Sequence, residues 1–248
     1  MGHEWEQHDE VEVDATPEQV WEAIATGPGY DSWYMGRTEV EPGEGGTVRT
    51  DLAGYVMESR ITAWDPPRRF AYRGDETPQG RFIAFEFLIE GREQGSTVLR
   101  LVSNGFLPGD DWEAEFDAMR KGGAMYFATL GAYLTHFAGR TATPITVAAP
   151  AVPDTQVAFA RVPAALGLAA GPVLGDRVMV TPAGLPPIDG VVNFVNPDAI
   201  GIRTRDALYR FVRGFIGPMV VTHHVFAEGV DRQETERAWR AWLARLSA

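Results

Sequence analysis

VEVDATPEQVWEAIATGPGYDSWY, residues 11–34, decides the fold. Its first residues close an alternating run that begins at residue 4. Trp5, Val11 and Val13 share one parity, while Glu4, Glu6, Glu10 and Glu12 share the other. Such a run is a strand with one dry face and one acidic face, and the acidic row discourages edge-to-edge pairing. Thr16-Pro17-Glu18-Gln19 then reads as a helix start: an N-cap hydroxyl, a proline in the first turn and a glutamine at the capping-box position. Val20, Trp21, Ile24 and Ala25 supply the buried stripe, and Gly27-Pro28-Gly29 is expected to end the helix. A short second helix is expected around residues 30–35.

Downstream the period returns to two. Strands are expected at 47–52, 55–64, around Phe70 and Tyr72, at 81–91 and at 97–103, with the glycines at 43, 45 and 46 and Asp65-Pro66-Pro67 as turns. In the clearest of them, Ile83, Phe85, Phe87 and Ile89 face one side and Glu86 and Glu90 the other. The short connections make the pairing antiparallel. A long helix is expected over 111–138. Asp110, Asp111, Glu113, Glu115 and Asp117 crowd its start, where the helix dipole favours negative charge. Trp112, Phe116, Met119, Phe127, Leu130, Leu134 and Phe137 form its apolar stripe. Gly122-Gly123 interrupts it, as a kink or a place of close approach.

The order strand, two helices, strands and a long helix resembles the helix-grip fold of the SRPBCC superfamily, which includes the START lipid-transfer and birch-pollen-allergen proteins. The phrases VEVDATPEQVWEAIATGPGYDSWY, GEGGTVR (43–49) and ITAWDPPRRFAY (61–72) look most like its bacterial branch related to activators of the ninety-kilodalton heat-shock chaperone ATPase. The resemblance covers about residues 5–138. It implies an α+β domain in which a curved antiparallel sheet wraps a long C-terminal helix, with an apolar cavity between them.

The remainder of the 248 residues reads as a truncated, degenerate second copy. GDRVMVT (175–181) echoes GGTVRTD (45–51). GVVNFVNPDAIGIRT (190–204) follows, then ALYRFVRG and MVVTHHVFAEG as strands. Asp231-Arg232-Gln233-Glu234 opens a last helix whose apolar stripe is Thr235, Trp239, Trp242, Leu243 and Leu246. Gln156–Leu168 reads as a remnant of the first helices, and the opening strand is expected to be missing. The resulting division is 1–138, a Pro/Ala-rich connector at 139–156, and 157–248 packed on the first domain. Charge divides likewise: residues 1–140 hold 25 Asp+Glu against 12 Lys+Arg, and residues 141–248 hold 9 against 10.

Composition narrows the function. The net charge of −12 and the lack of a basic patch argue against nucleic acid. There is no cysteine, hence no disulfide, thiolate nucleophile or Cys-bound metal. No apolar run reaches membrane-spanning length, and the acidic start is unlike a signal peptide, so a cytoplasmic location is expected. Adjacent His223 and His224 point to opposite strand faces and are a poor metal pair, and His3, His8 and His136 form no cluster. There is no nucleophile elbow, phosphate loop or convergent carboxylate pair, so no catalytic residue, metal or cofactor is expected.

By parity, the expected ligand-binding wall takes Trp33, Tyr55, Met57 and Ser59 from the first part of the chain. Phe70, Tyr72, Phe85 and Phe87 join it from the middle strands, and Trp112, Phe116, Met119 and Phe127 from the long helix. Tyr55, Ser59, Tyr72 and the Trp33 indole are the candidate polar handles. The primary expectation is a binding protein for an apolar or amphipathic small molecule. The alternatives are a cyclase/aromatase-like enzyme and a chaperone-linked protein-interaction module, with a protein partner or a homodimer as further partners.

Overall fold

The computed structural model describes residues 2–52, 54–92, 95–110, 112–168, 171–214 and 217–247; Asp111 lies outside the described residues. The chain divides into two compact units, Met1–Thr141 and Ala142–Ala248.

In unit 1, β1 (His3–Val13) leads into α1 (Pro17–Ala25), α2 (Gly27–Tyr30), β2 (Arg37–Val40), β3 (Thr47–Leu52) and β4 (Tyr55–Asp65). Next come β5 (Arg69–Gly74), β6 (Phe82–Gly91), β7 (Thr97–Leu107) and α3 (Trp112–Phe137). The seven strands are antiparallel in the order β1-β7-β6-β5-β4-β3-β2. The capping box forms as expected: the Thr16 hydroxyl accepts the Gln19 N–H, and the Gln19 carboxamide accepts the Thr16 N–H at 2.9 Å. Gly27-Pro28-Gly29 does not merely stop α1. Thr26 caps a second helix by accepting the Gly29 N–H at 3.0 Å, so α2 starts earlier than expected and Trp33 and Tyr34 sit in the turns after it. The outward acids of β1 and β6 find arginines: Glu10 and Glu90 both pair with Arg100, and Glu86 with Arg69.

Helix α3 runs along β1 in the same direction. The His3 ring stacks on Trp112 with centroids 4.3 Å apart, and Trp5 meets Phe116 at 5.5 Å. A Cβ on Gly131 would stand 3.6 Å from the Val11 side chain. The C-terminal half of α3 is buried on nearly every side, from Met125 to Phe137. A Cβ added at Gly123 meets nothing within 4 Å, so nothing approaches closely there. Gly123→Ala is therefore expected to raise stability by up to about 1 kcal/mol, the helix-propensity gain, in a chemical denaturation titration.

Unit 2 repeats the plan with β8 (Thr143–Ala148), α4 (Thr155–Phe159), α5 (Val162–Leu166), β9 (Arg177–Val180), β10 (Ile188–Asn196), β11 (Ala199–Arg203), β12 (Ala207–Val212), β13 (Val220–Val225) and α6 (Arg232–Ser247). Its sheet runs β8-β13-β12-β11-β10-β9. Two expectations need correcting. The opening strand is present: β8, inside the segment read as a connector, pairs with β13 from Val220↔Ala148 to Val225↔Thr143. Pro144 obscures it in the sequence, yet β8 lies at the sheet edge, where proline is tolerated. Ile145 and Val147 alternate into the core. Among the described residues of unit 2 no strand corresponds to β2, which covers β3 in unit 1. Asp231 caps α6 by accepting the Glu234 N–H at 3.0 Å, and Trp239, Trp242, Leu243 and Leu246 fill the space between α6 and its sheet.

Candidate functional site

The inner face of the first sheet sets the site. Cross-strand register places Phe70 opposite Phe87, Tyr72 opposite Phe85 and Ile61 opposite Tyr72. Phe70 and Phe87 are fully buried and stack with centroids 6.3 Å apart. Together with Trp33 they form the dry end of the grip.

The other end is open. Met57, Ser59, Phe85, Trp112, Phe116 and Met119 are all half-buried. Trp112 and Phe116 face His3 and Trp5 of β1 across a strip between the sheet and the first turns of α3. Trp5, also half-buried, lies in the same strip, and its indole N–H is shielded from solvent without a hydrogen-bond acceptor. Arg81, just before β6, pairs with Glu115 on the first turn of α3 and so links sheet and helix.

Two polar residues on this face escaped the sequence reading. Gln7 and Asp9 share the parity of Trp5 and Val11, and the Gln7 carboxamide donates to the Asp9 carboxylate at 2.8 Å. The alternation that marked β1 as half-dry already placed them inward.

Between the dry and open ends lies a group of tyrosines. The Tyr30 hydroxyl donates to that of Tyr72 at 2.9 Å, Tyr34 packs on Tyr126 at 4.7 Å, and Tyr72 packs on Phe85 at 5.3 Å. Burial pushes the Tyr34 phenol up to about 12 and raises Tyr30, Tyr72 and Tyr126 as well. All four therefore remain protonated at neutral pH and act as neutral hydrogen-bonding groups. Tyr126 was also missed; it lies seven residues after Met119 and four before Leu130, which is helical spacing.

The residues expected to form the wall divide by burial. Trp33, Phe70, Phe87 and Phe127 are core; Met57, Ser59, Tyr72, Phe85, Trp112, Phe116 and Met119 are accessible in part. Tyr55 is 69% exposed and does not line the site. It forms the last pair of the β3–β4 hairpin, opposite Leu52, beyond the packed part of the sheet. The Trp33 indole is not a free handle either, because it donates to the Ala23 carbonyl at 2.9 Å. In unit 2, His223 points towards α6 and His224 to the opposite face, both buried. Among the described residues no three metal-binding side chains converge, and no helix is long and apolar enough to cross a membrane.

Each unit is an antiparallel sheet whose first strand pairs with its last and whose face is covered by a C-terminal helix, which defines a tandem helix-grip protein. The family described as polyketide cyclase/dehydrase and lipid transport matches residues 5–136, more than half of the chain, and the chain belongs to that SRPBCC-type family. Among solved structures, it is similar to the di-domain ARO/CYC BexL of the BE-7585A biosynthetic pathway: 15% identity, 98% of each chain covered, TM-score 0.47. It is also similar to DynU16, from the dynemicin biosynthetic locus, at 18% identity over 98% of this chain and 95% of that one, TM-score 0.45. The Aha1 dimer from Colwellia psychrerythraea matches at 19% identity over 52% of this chain and 96% of that one, TM-score 0.43. No curated protein matches the chain.

Proposed function

We propose that unit 1 binds an apolar or amphipathic small molecule in the strip between its sheet and the first turns of α3. The observation that carries this reading is the change of burial along one continuous interface. It is dry from Met125 onwards, yet it leaves Trp112, Phe116 and Met119 half-covered, with Phe116 against Trp5 of β1. In unit 2, by contrast, Trp239, Trp242, Leu243 and Leu246 on the inner face of α6 are all buried. Aromatic walls would supply affinity, while Gln7, Asp9, Ser59 and the Arg81–Glu115 pair would orient polar parts of the ligand.

Native mass spectrometry of the full chain, before and after organic extraction, tests the reading, with anilinonaphthalene sulfonate as a fluorescent probe. An extractable molecule, or saturable probe binding weakened at least tenfold by Phe116→Ala, is expected, since an exposed-to-buried aromatic is worth about 1.5–3 kcal/mol. A bare chain with no saturable probe binding overturns it.

The tyrosine group favours a second reading, a cyclase-like enzyme. Protonated phenols beside the cleft suit hydrogen bonds to the carbonyls of a flexible substrate and so would hold it in a reactive conformation.

A further inference from the structure

We propose that the molecule held by unit 1 is a cationic amphiphile, its protonated amine bound by Asp9 and its apolar body lying against Gly123 of α3. This rests on the reading that unit 1 binds a small molecule between its sheet and α3, and adds the charge and the position of that molecule.

The position follows from two places where α3 meets β1. Phe116 packs on Trp5 with ring centroids 5.5 Å apart, and a Cβ on Gly131 would stand 3.6 Å from the Val11 side chain. Gly123 lies midway between these helix positions. Seven residues make about two helical turns, so it shares a face with Phe116 before it and with the buried Leu130 after it. On β1 the inward residues between Trp5 and Val11 are Gln7 and Asp9. A rise of about 1.5 Å per helical residue and about 3.3 Å per strand residue brings Gly123 level with that pair. Gly123 is half-buried, yet a Cβ there meets nothing within 4 Å. The glycine therefore leaves a gap on the inner face of the helix, level with two polar strand residues and bracketed by packed contacts.

The charge follows from Asp9. Its carboxylate accepts from the Gln7 carboxamide at 2.8 Å and has no ion-pair partner among the described residues. The cations of the neighbouring helical turn, Arg120 and Lys121, both pair with Asp117, and Arg81 pairs with Glu115. An inward carboxylate without a cation is costly to cover, and it repels a ligand that carries a carboxylate or sulfonate. A ligand ammonium supplies the missing charge through charge-assisted hydrogen bonds. The excess of 25 Asp+Glu over 12 Lys+Arg in residues 1–140 draws cations towards the same unit.

Fluorescence titration of the full chain tests this with three probes: dansylcadaverine, which carries a primary amine, its N-acetyl derivative, and the anionic anilinonaphthalene sulfonate. The amine is expected to bind about tenfold more tightly than its acetylated form. Asp9→Asn, which keeps the shape and an acceptor for Gln7, should abolish that preference and tighten sulfonate binding. Gly123→Leu, whose side chain fills the gap, should weaken the amine about tenfold while leaving the circular dichroism unchanged. Saturable sulfonate binding with equal affinities for the amine and its acetylated form overturns the inference and leaves the small-molecule reading standing. An amine preference that survives Asp9→Asn, or an amine affinity untouched by Gly123→Leu, also overturns it. No saturable binding of any probe overturns both.

Discussion

Trp239→Ala is expected to destabilise unit 2 by about 3–5 kcal/mol, the range for removing a large buried aromatic. Trp239 is 3% exposed and meets four rings: His223 at 4.4 Å, Trp242 at 5.4 Å, Phe211 at 5.6 Å and Tyr209 at 6.2 Å. No single neighbour can move to refill its place, because Trp242 and Phe211 are themselves fully enclosed. A denaturant titration followed by near-ultraviolet circular dichroism measures the loss. A cost below about 1 kcal/mol would show that α6 does not rely on this contact.

Acid is expected to weaken the same core. The Nδ1 atom of His223 accepts the Arg210 backbone N–H at 3.1 Å, so the ring is neutral in the fold, and its Nε2 is buried without a hydrogen-bond partner. Burial, with the neighbouring His224 and Arg210, pushes the His223 pKa well below its ordinary value. The unfolded chain takes up this proton near pH 6.5 while the folded chain resists it. Unfolding therefore binds a proton in the window below about pH 6.5, and stability falls as pH falls through it. The loss is about 1.4 kcal/mol per pH unit until the folded ring itself titrates. Above that window the ring is neutral in both states and contributes no pH dependence. His223→Gln, which keeps a polar side chain near the Arg210 N–H, should flatten the stability profile between pH 6.5 and 5. An unchanged slope in that variant would assign the acid response to other groups.

How much of this was legible in the sequence depends on what each segment had to say locally. The Thr16–Gln19 capping box and the alternation of β6 are complete within a few residues, and both stand as expected. Strand β8 did not announce itself, because proline and alanine dilute its period and its partner lies some 75 residues away in β13. Strand β2 is only four residues long, too short to show alternation. Parity says which side of a strand a residue faces, but nothing about where packing stops. Tyr55 and Met57 share a face, and only the length of the hairpin beyond the core leaves Tyr55 exposed. The polar members of the site, Gln7 and Asp9, were hidden because a short polar pair on a dry face looks like an irregularity until the register is known.

The pairing of first strand with last in each sheet has a further consequence, for the order of folding. β1 reaches its partner only when β7 exists, since His3 pairs with Leu107 and Val13 with Thr97. In the second unit, β8 waits for β13 in the same way. Neither sheet can be completed by contacts between neighbouring segments, so loop closure over most of a unit precedes the gain from burying its helix. During synthesis the acidic strand at the start of the chain stays without its mate until residue 107 has emerged. Its four outward glutamates then keep an unfinished edge in solution rather than in an aggregate.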